Sequence, residues 1–459
     1  MPADIENKSL AFAQQVLAIG KGGLPERDIE QIRRLMLDCL GVSQIGGTLP
    51  WTKAIAAWAQ RFDGSGSSPV IGTNLRVAPT IAALVNGAAA HGYELDDTHD
   101  ASMSHPGAVV IPAALAVAAE LDSPFEEVLG AIASGYEAMA RIGMVADSKR
   151  VISGGHHPTA LFGPFGSAAA AVRLYGLDAS VLARAWGHVL SLTGGSMQFS
   201  DEPEGTAVKR VHAGYAAQNG VLAAEFAARS VGAPARALDG KYGFFALYSK
   251  SPRMEYLDVP ADVELQIHRV SLKPYSCCRL FHSLIDGLRE VTDNFSIPTE
   301  KIARIDVRGP GVIFDQHMLR RPTSVMAAQY SLPYVVGATL AYGPDRYDSY
   351  REERLTDDRI LALADKVEGE ADAEIEAHYP EHMGTSVEIS SHDGWTRKAK
   401  VMDSRGTPAK PLSADEIYGK ASGLVKGLEP GVDLAAARQA IWGKTNGRGL
   451  ATLFGPGTR

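Results

Sequence analysis

Reactive side chains are concentrated in one short stretch of the chain, which reads HGYELDDTHDASMSH and is followed at once by the apolar run PGAVVIPAALA. Imidazoles and carboxylates at this density are typical of an acid/base site, a metal site or a solvated loop. The residues concerned are His91, Glu94, Asp96, Asp97, Thr98, His99, Asp100 and His105. The choice between these three interpretations depends on the rest of the chain.

Four further stretches carry side chains that can bind anions or transfer protons: SGGHHPTALFG, GTAVKRVHAGYAAQ, SLKPYSCCRLFHSLID and AAQYSLPYVVG. Their candidate residues are His156, His157, Lys209, Arg210, His212, Lys273, Tyr275, Arg279, His282, Tyr330 and Tyr334. Taken singly, each stretch is more typical of ordinary structure, because polar residues before a helix usually cap it and cysteines usually pack in the core. Only the stretches taken together argue for a site.

A metal site is the rival interpretation of the first stretch. Carboxylates and imidazoles suit several divalent metals. The stretch lacks the His-xxx-His spacing that would place two ligands on one helical face. We therefore predict no metal ligands, and we keep a metal-dependent hydrolase built on the His91–His105 cluster as the alternative from another class of function.

The composition is that of a soluble globular protein and excludes several functions. The 459 residues are 45% hydrophobic and 21% charged, with a formal net charge of −8. Such an acidic chain lacks the positive surface that nucleic-acid binding requires. No apolar run reaches the roughly 20 residues of a membrane helix. Three cysteines, two of them adjacent, indicate no disulfide framework, and the first residues resemble no targeting signal. A cytoplasmic location is expected.

The elements around these stretches predict a mainly α protein. Apolar residues recur at helical spacing through most of the first half. Near residue 262 the pattern changes: ELQIHRVSLK and KIARIDVRG alternate as strands do, DRYDSYREERLTDDRILALADKV reads as one long helix, and TSVEISSHDGWTRKAKVMD reads as a hairpin. We predict a large all-helical domain, residues 1–265 and 406–459, with an inserted smaller α+β lid domain, residues 266–405.

Four segments taken in order resemble the MmgE/PrpD family: ELDDTHD…HPGAVVIPAALA, HHPTALFGPFGSAAAAVRLYGLD, KRVHAGYAAQNG…AAEFAARSVGAP and KPYSCCRLFHSLID. The family includes 2-methylcitrate dehydratase, cis-aconitate decarboxylase and iminodisuccinate epimerase. The resemblance extends from the first helix to about residue 450. It implies a homodimer that acts on a small polycarboxylate substrate and uses no metal or organic cofactor.

The resemblance also implies roles for individual residues. The catalytic set it implies is His105, His157, Lys209, Lys273 and Tyr330. The set that would bind or orient the substrate is Glu94, Asp96, Asp97, Thr98, His156, Arg210 and Arg279. These types suit the chemistry, because imidazoles carry protons near neutral pH and fixed cations stabilise the negative charge that develops beside a carboxylate.

From this we predict a cofactor-independent enzyme that abstracts a proton next to a carboxylate of a small di- or tricarboxylic acid. The main expectation is a dehydratase-type lyase or an epimerase resembling iminodisuccinate epimerase. The alternative within the same family is a cis-aconitate-type decarboxylase.

Overall fold

The structure, a computed structural model, is mainly α-helical and describes residues 7–202, 206–249, 251–260, 263–428 and 433–454. It divides into two compact units. The first comprises Met1–Phe199, Ala207–Val270 and Ala414–Arg459, and the second comprises Ser200–Thr206 and Ser271–Ser413. The boundaries between the units, at 270/271 and 413/414, therefore lie later in the sequence than the predicted bounds at 265/266 and 405/406.

The first unit is built from helices, most of them at the predicted places. They are α1 (Lys8–Ala18), α2 (Glu26–Gly47), α3 (Pro50–Ala59), α4 (Pro79–Ala90), α5 (Gly107–Leu121), α6 (Phe125–Ala146), α7 (Ser148–Ser153), α8 (Pro158–Leu174), α9 (Ala179–Leu192), α10 (Val208–Ala228) and α11 (Phe244–Tyr248). Short strands β1 (Ser68–Pro69), β2 (Arg76–Val77) and β3 (Thr98–His99) interrupt them, and β4 (Val270–Ser271) follows.

The core of this unit consists of helices buried on all sides. Every residue of α5 from Gly107 to Ala119 is buried, as is every residue of α8 from Pro158 to Val172. Helix α10 packs on both α4 and α8. A Cβ atom at Gly214 of α10 would lie 2.3 Å from the carbonyl oxygen of Leu84 in α4, so only glycine permits this approach. No helix among the described residues is long and apolar enough to cross a membrane.

The second unit combines a mixed sheet with helices. Its elements are α12 (His282–Val291), β5 (Ile302–Gly309), α13 (Gly311–Gln316), α14 (Val325–Gln329), α15 (Leu332–Tyr342), α16 (Asp358–Ala364), β6 (Val367–Ala371), α17 (Ala373–Glu376), β7 (Thr385–Ser391) and β8 (Thr396–Val401). The strand order is β6-β5-β7-β8, with β5 and β6 parallel and the other pairs antiparallel. The predicted strand KIARIDVRG and the predicted hairpin are therefore confirmed.

Two predictions in this region are wrong. ELQIHRVSLK forms a single 3-10 turn, Gln266–Arg269, and then only the two residues of β4. The predicted long charged helix is broken into two 3-10 turns, α16 and the strand β6. The physical cause at α16 is the Asp357 carboxylate, which accepts hydrogen bonds from the backbone N–H groups of Arg359 and Ile360 and so begins a new helix.

The chain ends in the first unit with α18 (Ala414–Val425), α19 (Leu434–Trp442) and α20 (Gly447–Ala451). Helix α18 packs against α2. This packing brings Lys420 next to the segment between α4 and α5, where candidate site residues are densest.

Candidate active site

The segment between α4 and α5 is a compact buried turn that carries the densest group of reactive side chains. His91 is the C-cap of α4, and Glu94 has a left-handed backbone with φ of 57°. A non-glycine residue rarely adopts this conformation and needs surrounding contacts to hold it. The turn folds the chain back so that the rings of His91 and His105 lie 4.9 Å apart.

Asp96 lies between these two histidines. Its Oδ2 atom is 2.6 Å from Nδ1 of His91 and 3.3 Å from Nδ1 of His105. Nδ1 of His105 also lies 2.8 Å from the backbone carbonyl oxygen of Asp97. Because a carbonyl oxygen only accepts hydrogen bonds, we assign the proton of the neutral His105 ring to Nδ1. With the proton on Nδ1, the basic atom of the ring is Nε2, which can take up and return a proton.

Two more histidines continue this group. His157 is the N-cap residue of α8, ahead of Pro158, and His212 lies on α10. Their Nδ1 atoms are 3.0 Å apart, and the ring of His157 lies 5.9 Å from that of His91. His105, His91, His157 and His212 therefore form a continuous row of rings, which we call the histidine row.

Three members of the row are held in the neutral state. Burial lowers the pKa of His91 even though Asp96 opposes the shift. Burial, with the charges of Lys209 and of the neighbouring histidines, lowers the pKa of His157 well below its ordinary value. Burial, together with His91 and Lys209, lowers the pKa of His212 to about 4. At neutral pH these rings act as hydrogen-bonding groups rather than as cations.

Two cations of α10 converge on the same turn. Lys209 and Arg210 are both buried, and both donate to Oε1 of Glu94. Two positive charges thus face one carboxylate in a region where water is largely excluded. Opposite charges attract more strongly there than in water, so an anionic substrate would be stabilised by this cluster.

Asp97 supports the turn from beneath. Its Oδ1 atom accepts a hydrogen bond of 2.8 Å from the backbone N–H of Gly107, and its Oδ2 atom accepts one of 2.7 Å from the hydroxyl of Tyr136. Burial raises the pKa of Asp97 to about 7 although both hydrogen bonds oppose the shift. The carboxyl therefore contributes to positioning, and it fixes the start of α5 next to His105.

The raised pKa of Asp97 gives a testable pH dependence of stability. The folded carboxyl keeps a proton up to about pH 7, whereas an ordinary carboxyl loses it near 3.8. The contribution of the protonated Asp97 carboxyl to the free energy of unfolding is complete below its pKa in the unfolded state. It is lost as the pH rises through its pKa in the folded state. Three pKa units correspond to about 4 kcal/mol. Relative to Asp97→Asn, which cannot ionise, the wild type should lose up to that amount of unfolding free energy between pH 4 and pH 8, as measured by urea denaturation.

The exposed Asp315 provides the matched control for this measurement. Asp315→Asn should leave the pH dependence of the wild type unchanged, because this side chain is exposed and lies outside the candidate site. Parallel pH profiles for the wild type and Asp97→Asn would contradict a buried, protonated Asp97.

Two buried polar atoms beside the row have no hydrogen-bond partner among the described residues. They are Nε2 of His91 and the hydroxyl of Thr98. An unpaired buried polar atom costs about 1–3 kcal/mol, and such atoms in a folded protein commonly face a ligand or water. Both atoms belong to the segment on which the sequence predicts substrate binding.

A metal ion is the other ligand that this turn could accept. One ligand atom each from His91, Asp96 and His105 lie within 4.8 Å of one another. The Nδ1 atom of His105, however, donates to the Asp97 carbonyl, and the Nδ1 atom of His91 is bonded to Oδ2 of Asp96. A metal held through either Nδ1 atom would have to displace one of these two hydrogen bonds, whereas an acid/base role keeps both.

The remaining predicted site residues lie elsewhere in the two units. His156 packs its ring edge-on against Tyr248 at 5.1 Å and is not in the histidine row. Lys273, Arg279 and Tyr330 belong to the second unit. There Lys273 is buried, Arg279 donates to the hydroxyl of Ser404 at 3.1 Å, and the ring of Tyr330 lies 5.9 Å from that of His317.

Two members of the histidine row were not assigned a role from the sequence. His91 was counted only among possible metal ligands, and His212 only as a neighbour of Lys209 and Arg210. A signal for His212 is present, because Lys209 and His212 are three residues apart on one helix and so lie on the same face. Nothing in the sequence marks His91, since its pairing with Asp96 depends on the geometry of the turn.

Comparison with known families identifies the family of the chain. The model of the MmgE/PrpD N-terminal domain matches residues 11–257, and the model of the MmgE/PrpD C-terminal domain matches residues 275–441. The chain belongs to the MmgE/PrpD family. The predicted resemblance to this family is therefore confirmed.

Several curated relatives of this MmgE/PrpD protein are named as decarboxylases. The cis-aconitate decarboxylase-like protein oryM of Aspergillus oryzae is 27% identical over 438 residues, which is 90% of this chain and 89% of that protein. The cis-aconitate decarboxylase of Homo sapiens is 28% identical over 428 residues, covering 89% and 86%. That of Aspergillus terreus is 27% identical over 338 residues, covering 69% and 68%. A lyase-type enzyme of this family is thereby indicated.

Proposed function

We propose that this MmgE/PrpD protein is a decarboxylase acting on a small unsaturated tricarboxylate of the cis-aconitate type. The observation that carries the proposal is the Asp96-linked pair His91 and His105, set in the same buried turn as the Glu94 that binds Lys209 and Arg210. The names of the relatives favour this alternative over the dehydratase or epimerase that the sequence first suggested.

The chemistry needs one proton and a stabilised negative charge. In cis-aconitate, the carboxylate on the CH₂ arm is one carbon removed from the double bond. When its C–C bond breaks, the electron pair forms a new double bond, and the original double-bond pair moves to the far carbon. That carbon takes a proton, so the trianion and one proton give CO₂ and the dianion of 2-methylenesuccinate.

His105 is the proton carrier in this scheme. Its Nδ1–H group is fixed by the Asp97 carbonyl, and the nearby Asp96 carboxylate stabilises the imidazolium that a proton donor must form. The His105 side chain is 13% exposed, whereas that of His91 is fully buried. His105 can therefore exchange protons with solvent between turnovers, and His91 serves to hold Asp96 in place.

Lys209 and Arg210 stabilise the charge that moves through the substrate as CO₂ leaves. Preorganised cations in a site that excludes water are worth far more than the same charges in water. Glu94 sets their positions by accepting from both. The roles that the resemblance implies for His157, Thr98, Lys273 and Tyr330, and the lid role of the second unit, remain predictions.

The test is a reaction in D₂O followed by proton NMR and by CO₂ release. With cis-aconitate we expect CO₂ and a product that carries one deuterium on the CH₂ group beside a carboxylate. Citrate, 2-methylcitrate and iminodisuccinate, offered in parallel, should not lose CO₂. Deuterium exchange or water loss on one of these substrates without CO₂ release would overturn the proposal and support the dehydratase or epimerase. Absence of CO₂ release from cis-aconitate would also overturn it.

A further inference from the structure

A buried ion pair next to the candidate site joins helix α2 to helix α18. Lys420 of α18 donates to Oδ1 of Asp38 in α2 at 2.7 Å. The same ammonium group donates to the backbone carbonyl of Leu95 at 2.8 Å. The side chains of Lys420 and Asp38 are only 4% and 2% exposed.

Such a pair is costly to bury. Removing two charges from water costs several kcal/mol per ion, and apolar residues of similar volume often serve stability as well or better. The stability of α2 and α18 therefore does not by itself require Lys420. The second contact of Lys420, to Leu95, indicates what the pair does.

Leu95 stands between the two acidic residues of the site. On one side, Glu94 binds Lys209 and Arg210, and on the other side Asp96 binds His91 and His105. Lys420 thus holds the backbone carbonyl of the residue between Glu94 and Asp96. The left-handed backbone of Glu94, the preceding residue, needs surrounding contacts to hold it.

A small cavity adjoins the same contacts. It has a volume of about 10 Å³, the room of a single water molecule, and Asp38, Asp96 and Asp97 are among the residues that line it. Three acidic side chains are therefore close to one another behind the histidine row. Lys420 is the cation bonded to this group, through Asp38.

We propose that Lys420 is a positioning residue for the candidate active site. Lys420 fixes the backbone at Leu95, between Glu94 and Asp96, by donating to the Leu95 carbonyl, and Asp38 holds Lys420 in place. The inference rests on the proposed function for its effect on turnover. Its structural part, the placement of Asp96 against His91 and His105, can be measured without any substrate.

The experiment compares Lys420→Met with the double variant Asp38→Asn/Lys420→Met. The single variant leaves a buried carboxylate unpaired and should unfold more easily. The double variant removes that charge as well and should recover most of the stability. Both variants lack the Lys420 ammonium group that donates to Leu95, so both should lose roughly 10- to 100-fold in kcat, as expected when a catalytic group moves by about 1 Å. Lys420→Arg, which keeps a donor, should retain more activity than either.

The substrate-independent readout is the pair of low-field Nδ1–H resonances of His91 and His105 in ¹⁵N-histidine-labelled protein. They are identified through His91→Asn and His105→Asn. Both resonances should shift or broaden in the stable double variant. If the double variant regains wild-type kcat and keeps both resonances unchanged, Lys420 is only a structural ion-pair partner and the proposal is overturned. If the wild type releases no CO₂, the proposed function fails, but the resonances still decide the role of Lys420.

Discussion

Replacing His105 with asparagine should abolish most of the CO₂ release while leaving the fold intact. The asparagine amide can place an N–H group where Nδ1–H of His105 now donates to the Asp97 carbonyl, but it has no group equivalent to Nε2. Loss of a positioned general acid or base typically costs 10²–10⁴-fold. We expect kcat with cis-aconitate to fall within that range, measured by CO₂ release at saturating substrate.

The control for this variant is His378→Asn, at an exposed histidine of the second unit. It should retain kcat within a factor of two, and both variants should unfold at nearly the wild-type temperature. A kcat for His105→Asn within tenfold of the wild type would show that another group delivers the proton. His157 would then be the first residue to test, because it lies in the same row of rings.

Replacing Lys209 with methionine should have the second largest effect. The variant removes a buried cation that stabilises the negative charge developing on the substrate as CO₂ leaves. Loss of one such preorganised group lowers the rate by about 10²–10³-fold. The fold should survive, because Arg210 still pairs with Glu94 and the methionine fills much of the same volume. We expect kcat/KM for cis-aconitate to fall by that factor.

The matched control is Lys53→Met on α3, where the lysine is exposed and lies outside the site. Its kcat/KM should equal that of the wild type. If Lys209→Met kept the wild-type kcat/KM, the cluster around Glu94 would be structural and the anion-binding role would have to lie elsewhere. Glu94→Gln distinguishes the structural role of the cluster from its anion-binding role further, because it removes the carboxylate that pairs with Lys209 and Arg210 and keeps both cations.

The sequence was sufficient for the parts of this protein that depend on local pattern. Helical spacing of apolar residues located α2, α4, α5, α6, α8, α9 and α10, and alternation located β5 and the hairpin of β7 and β8. These elements bury one face or all faces, so the period of their apolar residues reports their conformation. The order of the family segments likewise identified the family without any structure.

Where charged residues replace an apolar pattern, the predicted helix is wrong. The segment from Asp345 to Val367 is rich in charged residues, yet Asp357 caps a new helix within it and β6 follows. Only Val367 of β6 is buried, so no alternation marks that strand. It is a strand because its backbone pairs with β5, which is a tertiary contact.

The residue types of the candidate site could be predicted from the sequence, but the contacts between them could not. His91 to His105 could be recognised as reactive because histidines and carboxylates are dense there. That Asp96 joins two histidines, that Glu94 meets Lys209, and that Lys420 holds Leu95 depends on residues separated by up to 325 positions. Hydrogen bonds require separations near 3 Å, and only the packing of α2, α4, α10 and α18 sets distances that fine. The sequence by itself determined which acidic, basic and imidazole side chains are available. The tertiary structure decided which hydrogen-bond partner each of them has, because only packing sets these distances.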